Sequence, residues 1–409
     1  MAWVEQSGKR SWRVRYFRDD GSIGAIPGFA TKTQAERKAD TLESDEREGR
    51  HADPTAGRVL FAEWVNNQWL DALDVGVRTE ENYRSKLRGH ILPRWGDVAL
   101  ADITGSDVAA WAKKLRQTGL ADVTVTDTLK VFTLILNDAV DDRLLPASPV
   151  RRRRRGRGRR TATRKKAWAT TEQAIQIADQ AVAYYGRDAG MLILTAAFTG
   201  ARWGELTGLQ RPNLHLIHNA AGNTDSGYFD VDPEIGALHE SSAGKLWLGP
   251  PKTPESARRV TLPPFLVPLL RQFLTTHNHR HVFVTPDREL HRRSNFSRRA
   301  MRPAADGNLD ITRPAVRTQP IRTGLTFHGL RHSHKTWMIA DAVPQVAQSE
   351  RLGHKLSDKI EQAYSHVADE VERRLLAALQ QRWYTALANL PASDLDTAWR
   401  TPPDAQQAA

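Results

Sequence analysis

The sequence predicts a multidomain chain, mainly α with small β-sheets. Three observations predict it. The chain has 409 residues, long for a single core. Apolar residues alternate near its start but recur at helical spacing over 58–148. A dense run of arginines at 151–166 cannot pack, and it separates the helical stretch from a longer α/β stretch.

Residues 1–55 open with Ser11-Trp12-Arg13-Val14-Arg15-Tyr16-Phe17, which alternates as a strand. Asp19-Asp20-Gly21 marks a turn, a second short strand is expected around 23–26, and a helix from about 31 to 48. Arg13, Arg15 and Arg18 lie on or beside these strands.

Residues 58–148 read as wholly helical. Phe61, Trp64, Val65 and Trp69 fall on one helical face, and a second helix begins near Thr79. Pro93-Arg94-Trp95-Gly96 is expected to break the pattern. Ile103-Thr104-Gly105-Ser106-Asp107 caps a helix through Leu115; a fourth helix spans about 123–141, and Leu145-Pro146 closes the region.

Residues 149–167 form a basic linker. The stretch 151–166 holds 9 Arg and 2 Lys without one acid, nearly all of the chain's formal +12. Such a run stays solvated and attracts a polyanion. It is either a plain linker or, as its neighbours suggest, one that also rides on DNA phosphates. The candidates are Arg151, Arg152, Arg153, Arg154, Arg155, Arg157, Arg159, Arg160, Lys165 and Lys166.

From Trp168 to about residue 390 runs a larger α/β region, opened by the capping-box pattern Thr170-Thr171-Glu172-Gln173. Residues 391–409 are polar, rich in Pro and Ala, and read as a loose tail. No internal repeat is present.

The chain has no Cys, which excludes disulfides, thiolate metal sites and cysteine nucleophiles. Its start lacks the apolar stretch of a signal peptide, and no run of about 18 apolar residues suggests a membrane span. A cytoplasmic, nucleoid-associated protein without membrane contact is expected. The 12 Trp are expected to be packing residues.

Chemistry concentrates in the last large region. An apolar helix over 191–198 ends at Thr199-Gly200, and Ala201-Arg202-Trp203-Gly204-Glu205-Leu206 starts the next. Arg202 thus sits at a helix N-terminus, where free N–H groups and the dipole favour an anion. Alone, an arginine there is more often a surface residue. Leu246-Trp247-Leu248-Gly249 and Arg258-Arg259-Val260-Thr261-Leu262 read as the two strands of a hairpin with Lys252 near its tip.

His328, Arg331 and His332 share one helical face. The i, i+4 spacing of His328 and His332 would suit a metal. No Glu follows His328 and no acidic ligand is near, so none is expected. His334, His277, His279 and His281 read as surface histidines, and 213–227 as an inserted loop. Leu352-Gly353-His354 is followed ten residues later by Tyr364. A final amphipathic helix carries Val371, Leu375, Leu379, Trp383 and Leu387 near one face, read as core, or alternatively as a surface docked on a neighbouring protomer.

Taken together, TGARWGEL (199–206), PPKTPESARRVTLP (250–263), HGLRHS (328–333), LGH (352–354) and AYSHV (363–367) resemble the tyrosine recombinases of the phage integrase type. The resemblance covers 168–385 in detail. It implies a small β-sheet/helix arm-binding-like domain at 1–55, a helical core-binding (SAM-like) domain at 58–148, and a mixed α/β catalytic domain over 168–390. It also implies an active-site set of Arg202, Lys252, His328, Arg331, His354 and Tyr364, with Glu205 supporting the first arginine and His332 a common neighbour. Arg13, Arg15 and Arg18 of the arm-like domain, and Arg258, are further candidate DNA contacts. Asp341-Ala342-Val343-Pro344 departs from the family, which usually has a Gly-containing turn there.

The activity so implied is site-specific recombination: strands are cut and rejoined through a 3′-phosphotyrosyl link, without metal or cofactor, integrating and possibly excising a phage or mobile element. The implied partners are double-stranded attachment sites, sister subunits in a tetramer, and DNA-bending or directionality proteins. A type IB topoisomerase-like nick-and-reseal enzyme and a non-catalytic DNA-binding protein of the same fold are the alternatives. The arm-like start favours the first reading, and an intact nucleophile argues against the last. The residue types suit the reaction. Guanidiniums bind phosphate oxygens bidentately and stay charged. A tyrosine, only about one in a thousand ionised at pH 7, needs such a positive surround.

Overall fold

The computed structural model describes residues 2–18, 21–47, 56–150, 166–218, 225–312, 314–355 and 368–391. The chain divides into two compact units, Met1–Thr163 and Arg164–Ala409.

The first unit begins with three antiparallel strands in sequence order, β1 (Ala2–Gly8), β2 (Ser11–Phe17) and β3 (Ile23–Phe29). Val14 and Tyr16 point to one face and pack on Ala35, Ala39 and Leu42 of α1 (Lys32–Arg47). Sequence reading missed β1, whose Glu5-Gln6-Ser7 stretch hides its alternation. Glu5 turns out to matter: one of its oxygens accepts from Arg13 Nε at 2.8 Å and Arg15 Nε at 2.6 Å. Those bonds hold the carboxyl down to about 2. Two of the three candidate arginines thus share one acid, leaving that face net positive. Arg18 donates from Nη1 to Ser22 Oγ at 3.3 Å.

The helices of this unit are α2 (Phe61–Trp64), α3 (Val77–Lys86), α4 (Leu92–Trp95), α5 (Gly105–Gln117) and α6 (Asp122–Asp141). The helix ends inside the expected 93–96 break, at Trp95 with Gly96 next, although Pro93 itself is carried within it. A wide π turn over 87–91 carries α3 into α4, with Leu92 N–H reaching back to Leu87 O. The shifted ladder accommodates the N–H that Pro93 lacks. Thr104 caps α5 as expected, its Oγ1 accepting from Asp107 N at 3.2 Å. Trp64, Trp69, Trp95 and Trp111 are all core, with Trp95 stacked 5.3 Å from Phe132.

In the second unit Thr170 and Gln173 form the expected reciprocal cap of α7 (Thr171–Tyr185). The next helix, α8 (Arg187–Thr199), is buried on every side from Ala189 onward and forms the centre of the unit. Short α9 (Trp203–Thr207) follows. Two small sheets come next: β4 (Leu214–Ile217), β5 (Ser226–Asp230) and β8 (Arg259–Thr261) form one, and β6 (Ala237–Glu240) with β7 (Leu246–Gly249) the other.

This corrects two expectations. The strand before Lys252 pairs with β6, and the strand after it pairs with β5, so they are not one hairpin. The supposed inserted loop contains β4, paired with β5 from Leu214↔Phe229 to Ile217↔Ser226. Both errors have one cause. Strand partners are set by side-chain packing across the sheet, which local alternation does not encode.

The remaining helices are α10 (Leu266–Leu274), α11 (Arg293–Phe296), α12 (Arg302–Asp306), α13 (Phe327–Ala340), α14 (Gln345–Leu352) and α15 (Asp369–Asn389). On α15, Leu375, Leu379, Trp383 and Ala386 are buried in the unit's own core, and Trp383 stacks on Phe265 at 4.1 Å. The core reading of this helix therefore holds. Among the described residues no helix is long and apolar enough to cross a membrane.

Candidate active site

The site is built around the point where α8 ends. Gly200 takes the left-handed conformation (φ 68) and turns the chain sharply. A Cβ there would fall 2.7 Å from Leu352 Cδ2 and 2.8 Å from His334 Cδ2, so only glycine fits. Arg202 follows as the residue before α9. Its backbone N–H donates to Glu205 Oε2 at 2.9 Å, and its Nη1 donates to Glu205 Oε1 and to Ser256 Oγ, both at 2.7 Å. Nη2 donates to Gly353 O at 2.9 Å.

Glu205 is only 2% exposed. Burial alone would raise its carboxyl, but Arg258 and Arg202 outweigh that and hold it below the usual range.

Arg331 reaches the same place from α13. It is 4% exposed, and its Nη1 donates to Gly200 O at 2.7 Å. Its Nη2 donates to Leu352 O and, at 2.8 Å, to His354 Nε2. Burial, then the Arg202 charge, pushes this guanidinium down to about 9, which leaves it charged at neutral pH.

A guanidinium can only donate, so His354 Nε2 must accept, and its proton sits on Nδ1. Partial burial and the charges of Arg331 and Arg202 push His354 down to about 4. A phosphate in this position would reverse that bias.

His328 lies one turn before His332 on α13, their rings 4.9 Å apart. It too is pushed down to about 4, first by burial and then by His332 and Arg331. His328 is therefore neutral at working pH and able to take a proton. The His332 Nε2 is buried without a partner among the described residues.

Lys252 is exposed in the segment after β7 and makes no hydrogen bond or ion pair among the described residues. That segment is tied to the site because Thr253 Oγ1 lies 3.0 Å from Ser256 Oγ. A cleft of about 480 Å³ opens alongside, lined by Arg258, Arg259, Ser349, Glu350, Gly353 and His354 among others.

Four expected residues are thus brought together directly: Arg202, Glu205, Arg331 and His354. His328 and His332 stand one turn away, and Lys252 stands on an adjoining segment. Lys166 is exposed and adds its charge near His328. Tyr364 lies outside the described residues, as do Arg151, Arg152, Arg153, Arg154, Arg155, Arg157, Arg159, Arg160 and Lys165.

Two expectations are corrected here. Arg258 is not turned out toward phosphates: its side chain is 6% exposed, and each of its three nitrogens already donates within the protein. His334 is no surface residue. It is fully buried, Nδ1 facing Ala197 O at 3.0 Å and Nε2 accepting from Arg351 Nε at 2.9 Å. His277 and His281 are buried as well. Ser256 and Arg351 escaped sequence reading altogether, because neither type carries a local signal of burial.

A model described as the phage integrase family matches residues 239–371. The prophage phiRv2 integrase of Mycobacterium tuberculosis is 25% identical over 395 residues, 92% of this chain and 94% of that one. The integrase of Mycobacterium phage D29 is 23% identical over 78% of this chain and 79% of its own. Among solved structures, the Tn1549 transposon integrase in complex with a circular intermediate DNA matches with a TM-score of 0.59 at 14% identity, covering 78% of this chain and 98% of that one. A lambda integrase tetramer bound to a Holliday junction matches with a TM-score of 0.52 at 16% identity, covering 90% and 98%. Over residues 239–371 the chain matches the phage integrase family, and over most of its length it is similar to integrases.

Proposed function

We propose that this chain is a site-specific integrase whose Arg202 and Arg331 clamp one scissile phosphate while Tyr364 attacks it. The observation that carries the reading is the shared anchoring of the two guanidiniums. One donates to Leu352 O and the other to Gly353 O, so adjacent carbonyls of one turn hold both. His354 is the next residue of that turn. Positive charge from two distant stretches of sequence is thereby focused on one spot held by a third, where it can stabilise the extra negative charge of a pentacoordinate phosphorus. Loss of one such donor typically costs on the order of 10²–10³ in rate.

The Tyr364 oxygen bonds to phosphorus, and the bond from phosphorus to the 5′ oxygen breaks. The phenolic proton passes to His328, held neutral by its surroundings, and Lys252 supplies the proton that the 5′ oxygen needs. His354 donates to a phosphate oxygen. An ester replaces an ester, so no nucleotide is consumed. The reverse step with a different 5′ hydroxyl completes the exchange.

The DNA partner is a double-stranded attachment site. The three-stranded sheet with Arg13, Arg15 and Arg18 supports an arm-type contact, and the 151–166 run supports a salt-sensitive hold on phosphates. Assembly is proposed as a tetramer on DNA, by likeness to the lambda integrase solved in that form.

The test compares two substrates in excess EDTA. An integrase recombines a pair of attachment-site DNAs and does so without metal. Relaxation of plasmid lacking such sites, with no recombination between paired sites, points to the topoisomerase-like alternative. Activity abolished by EDTA and restored by Mg²⁺ contradicts the mechanism.

A further inference from the structure

Three consecutive carbonyls at the end of α14 each receive a guanidinium from a different part of the second unit. Arg258 Nε donates to Arg351 O at 2.8 Å, Arg331 Nη2 to Leu352 O, and Arg202 Nη2 to Gly353 O at 2.9 Å. The physical cause is general. A helix leaves its last carbonyls without intrahelical partners and carries the negative end of its dipole there. Two of these guanidiniums are the ones assigned to the scissile phosphate. The third has no such assignment.

The surroundings of Arg258 say what it does. Its Nη1 donates to Ser256 O at 2.7 Å, and its Nη2 to Glu205 Oε2 at 3.1 Å. Ser256 Oγ and Glu205 Oε1 are the acceptors of Arg202 Nη1. Arg258 therefore grips the carboxylate, the turn and the helix end that together fix Arg202. Its side chain is 6% exposed and each of its nitrogens donates within the protein, so it lines the cleft wall rather than reaching out to DNA.

Without it, Glu205 would lose one of its two cationic partners. The carboxylate would be free to draw Arg202 away from the phosphate, and Arg351 O would be left without its bond. The end of α14 itself is steadied by Arg351, whose side chain is held by His334 Nε2 and Phe198 O.

We propose that Arg258 is a positioning residue for strand cleavage, setting the spacing of Arg202 and Arg331 through the α14 carbonyls and Glu205 without touching DNA. This rests on the reading that those two guanidiniums bind the scissile phosphate. The competing role, direct binding of a phosphate, makes opposite predictions. Removing a phosphate-binding arginine would weaken DNA binding and flatten its salt dependence by about one unit of slope. Removing a positioning arginine would leave both unchanged and slow the chemical step.

The experiment uses the full chain and a nicked suicide duplex carrying its attachment site. Wild type, Arg258→Met, Arg258→Lys and Tyr364→Phe are compared in DNA affinity at several salt concentrations, thermal melting, and single-turnover adduct formation at saturating protein. Arg258→Met is expected to bind within about 3-fold of wild type with the same salt slope, and to cleave about 10²-fold more slowly. Arg258→Lys is expected to recover part of that rate. Its ammonium can pair with Glu205 but cannot also span both carbonyls as a planar fork does. If Arg258→Met does not fold, folded Arg258→Lys decides: slowed cleavage at unchanged affinity supports the proposal, and a wild-type rate overturns it. A weakened affinity with a flatter salt slope overturns it in favour of direct phosphate binding. Absence of a Tyr364-dependent adduct in the wild type would instead sink the underlying reading.

Discussion

Replacing Gly353 with alanine probes the turn that holds both guanidiniums. Gly353 ends α14 with φ 58, in the left-handed region that costs an alanine about 1 kcal/mol. A Cβ would fall 2.9 Å from Glu255 O and from Ser256 Cα, and 3.0 Å from Arg258 Nη1. Two of those three atoms belong to backbone, so the turn must retreat by about 0.5 Å to reach ordinary contact. Overpacking of this kind costs about 1–3 kcal/mol. The sum is about 2–4 kcal/mol, or roughly 5–15 °C in melting temperature for a unit of this size. The same retreat moves the carbonyl that carries Arg202, so cleavage should fall about 10- to 100-fold in the fraction that remains folded. Gly119→Ala is the control. Gly119 also has positive φ (86), but nothing lies within 4 Å of its missing Cβ. It should cost about 1 kcal/mol and leave cleavage unchanged. The assays are thermal melting and single-turnover adduct formation. A Gly353→Ala protein that melts and cleaves like wild type would refute the argument that this turn is the bracket of the site.

Other outcomes follow from the same structure. His291, 1% exposed beside Trp203 and Phe296, is held by burial at about 4. An unfolded histidine takes its proton near 6.5, so the stability His291 contributes is full above that pH and drains as pH falls toward 4. At pH 5 the loss is about 2 kcal/mol. His291→Asn should flatten the change in urea midpoint between pH 7.5 and 5.0, and an equal change in both proteins contradicts the assignment. Ala342 is an exposed non-glycine residue at φ 53, in the left-handed region. Ala342→Gly should stabilise by about 0.5 kcal/mol in melting experiments with cleavage unaffected, and destabilisation would be the wrong sign. Deleting 151–160 removes eight arginines. DNA affinity should fall for all sequences and its salt slope become shallower, whereas an unchanged slope returns the segment to a plain linker.

How much of this was legible in the sequence depends on how local each signal is. Caps at Thr104 and Thr170 are short-range chemistry, and both stand as read. The spacing of Phe61, Trp64 and Trp69 likewise gave the core of the helical part. Strand partners were not legible. The segments flanking Lys252 alternate like hairpin strands, yet β6 and β5 claim them. The 93–96 break stands at its far end, where the helix stops at Trp95, while Pro93 sits inside the helix because the π turn before it shifts the ladder. At the site, glycine and motif order pointed to Arg202, Arg331 and His354. Nothing pointed to Ser256 or Arg351, and Arg258 and His334 were placed on the surface. Buried and exposed arginines look alike in sequence; what distinguishes them is the helix end they cap, and α14 becomes such an acceptor only after folding.

The central claim is that one phenol attacks one phosphate held by two guanidiniums. Trapping the covalent complex on a suicide duplex, digesting it, and sequencing the nucleotide-bearing peptide by mass spectrometry tests this most directly. The account predicts a 3′-linked nucleotide on Tyr364, absent in Tyr364→Phe and strongly reduced in Arg202→Lys and Arg331→Lys. A nucleotide on any other residue, or an adduct of wild-type yield in either arginine variant, would contradict it.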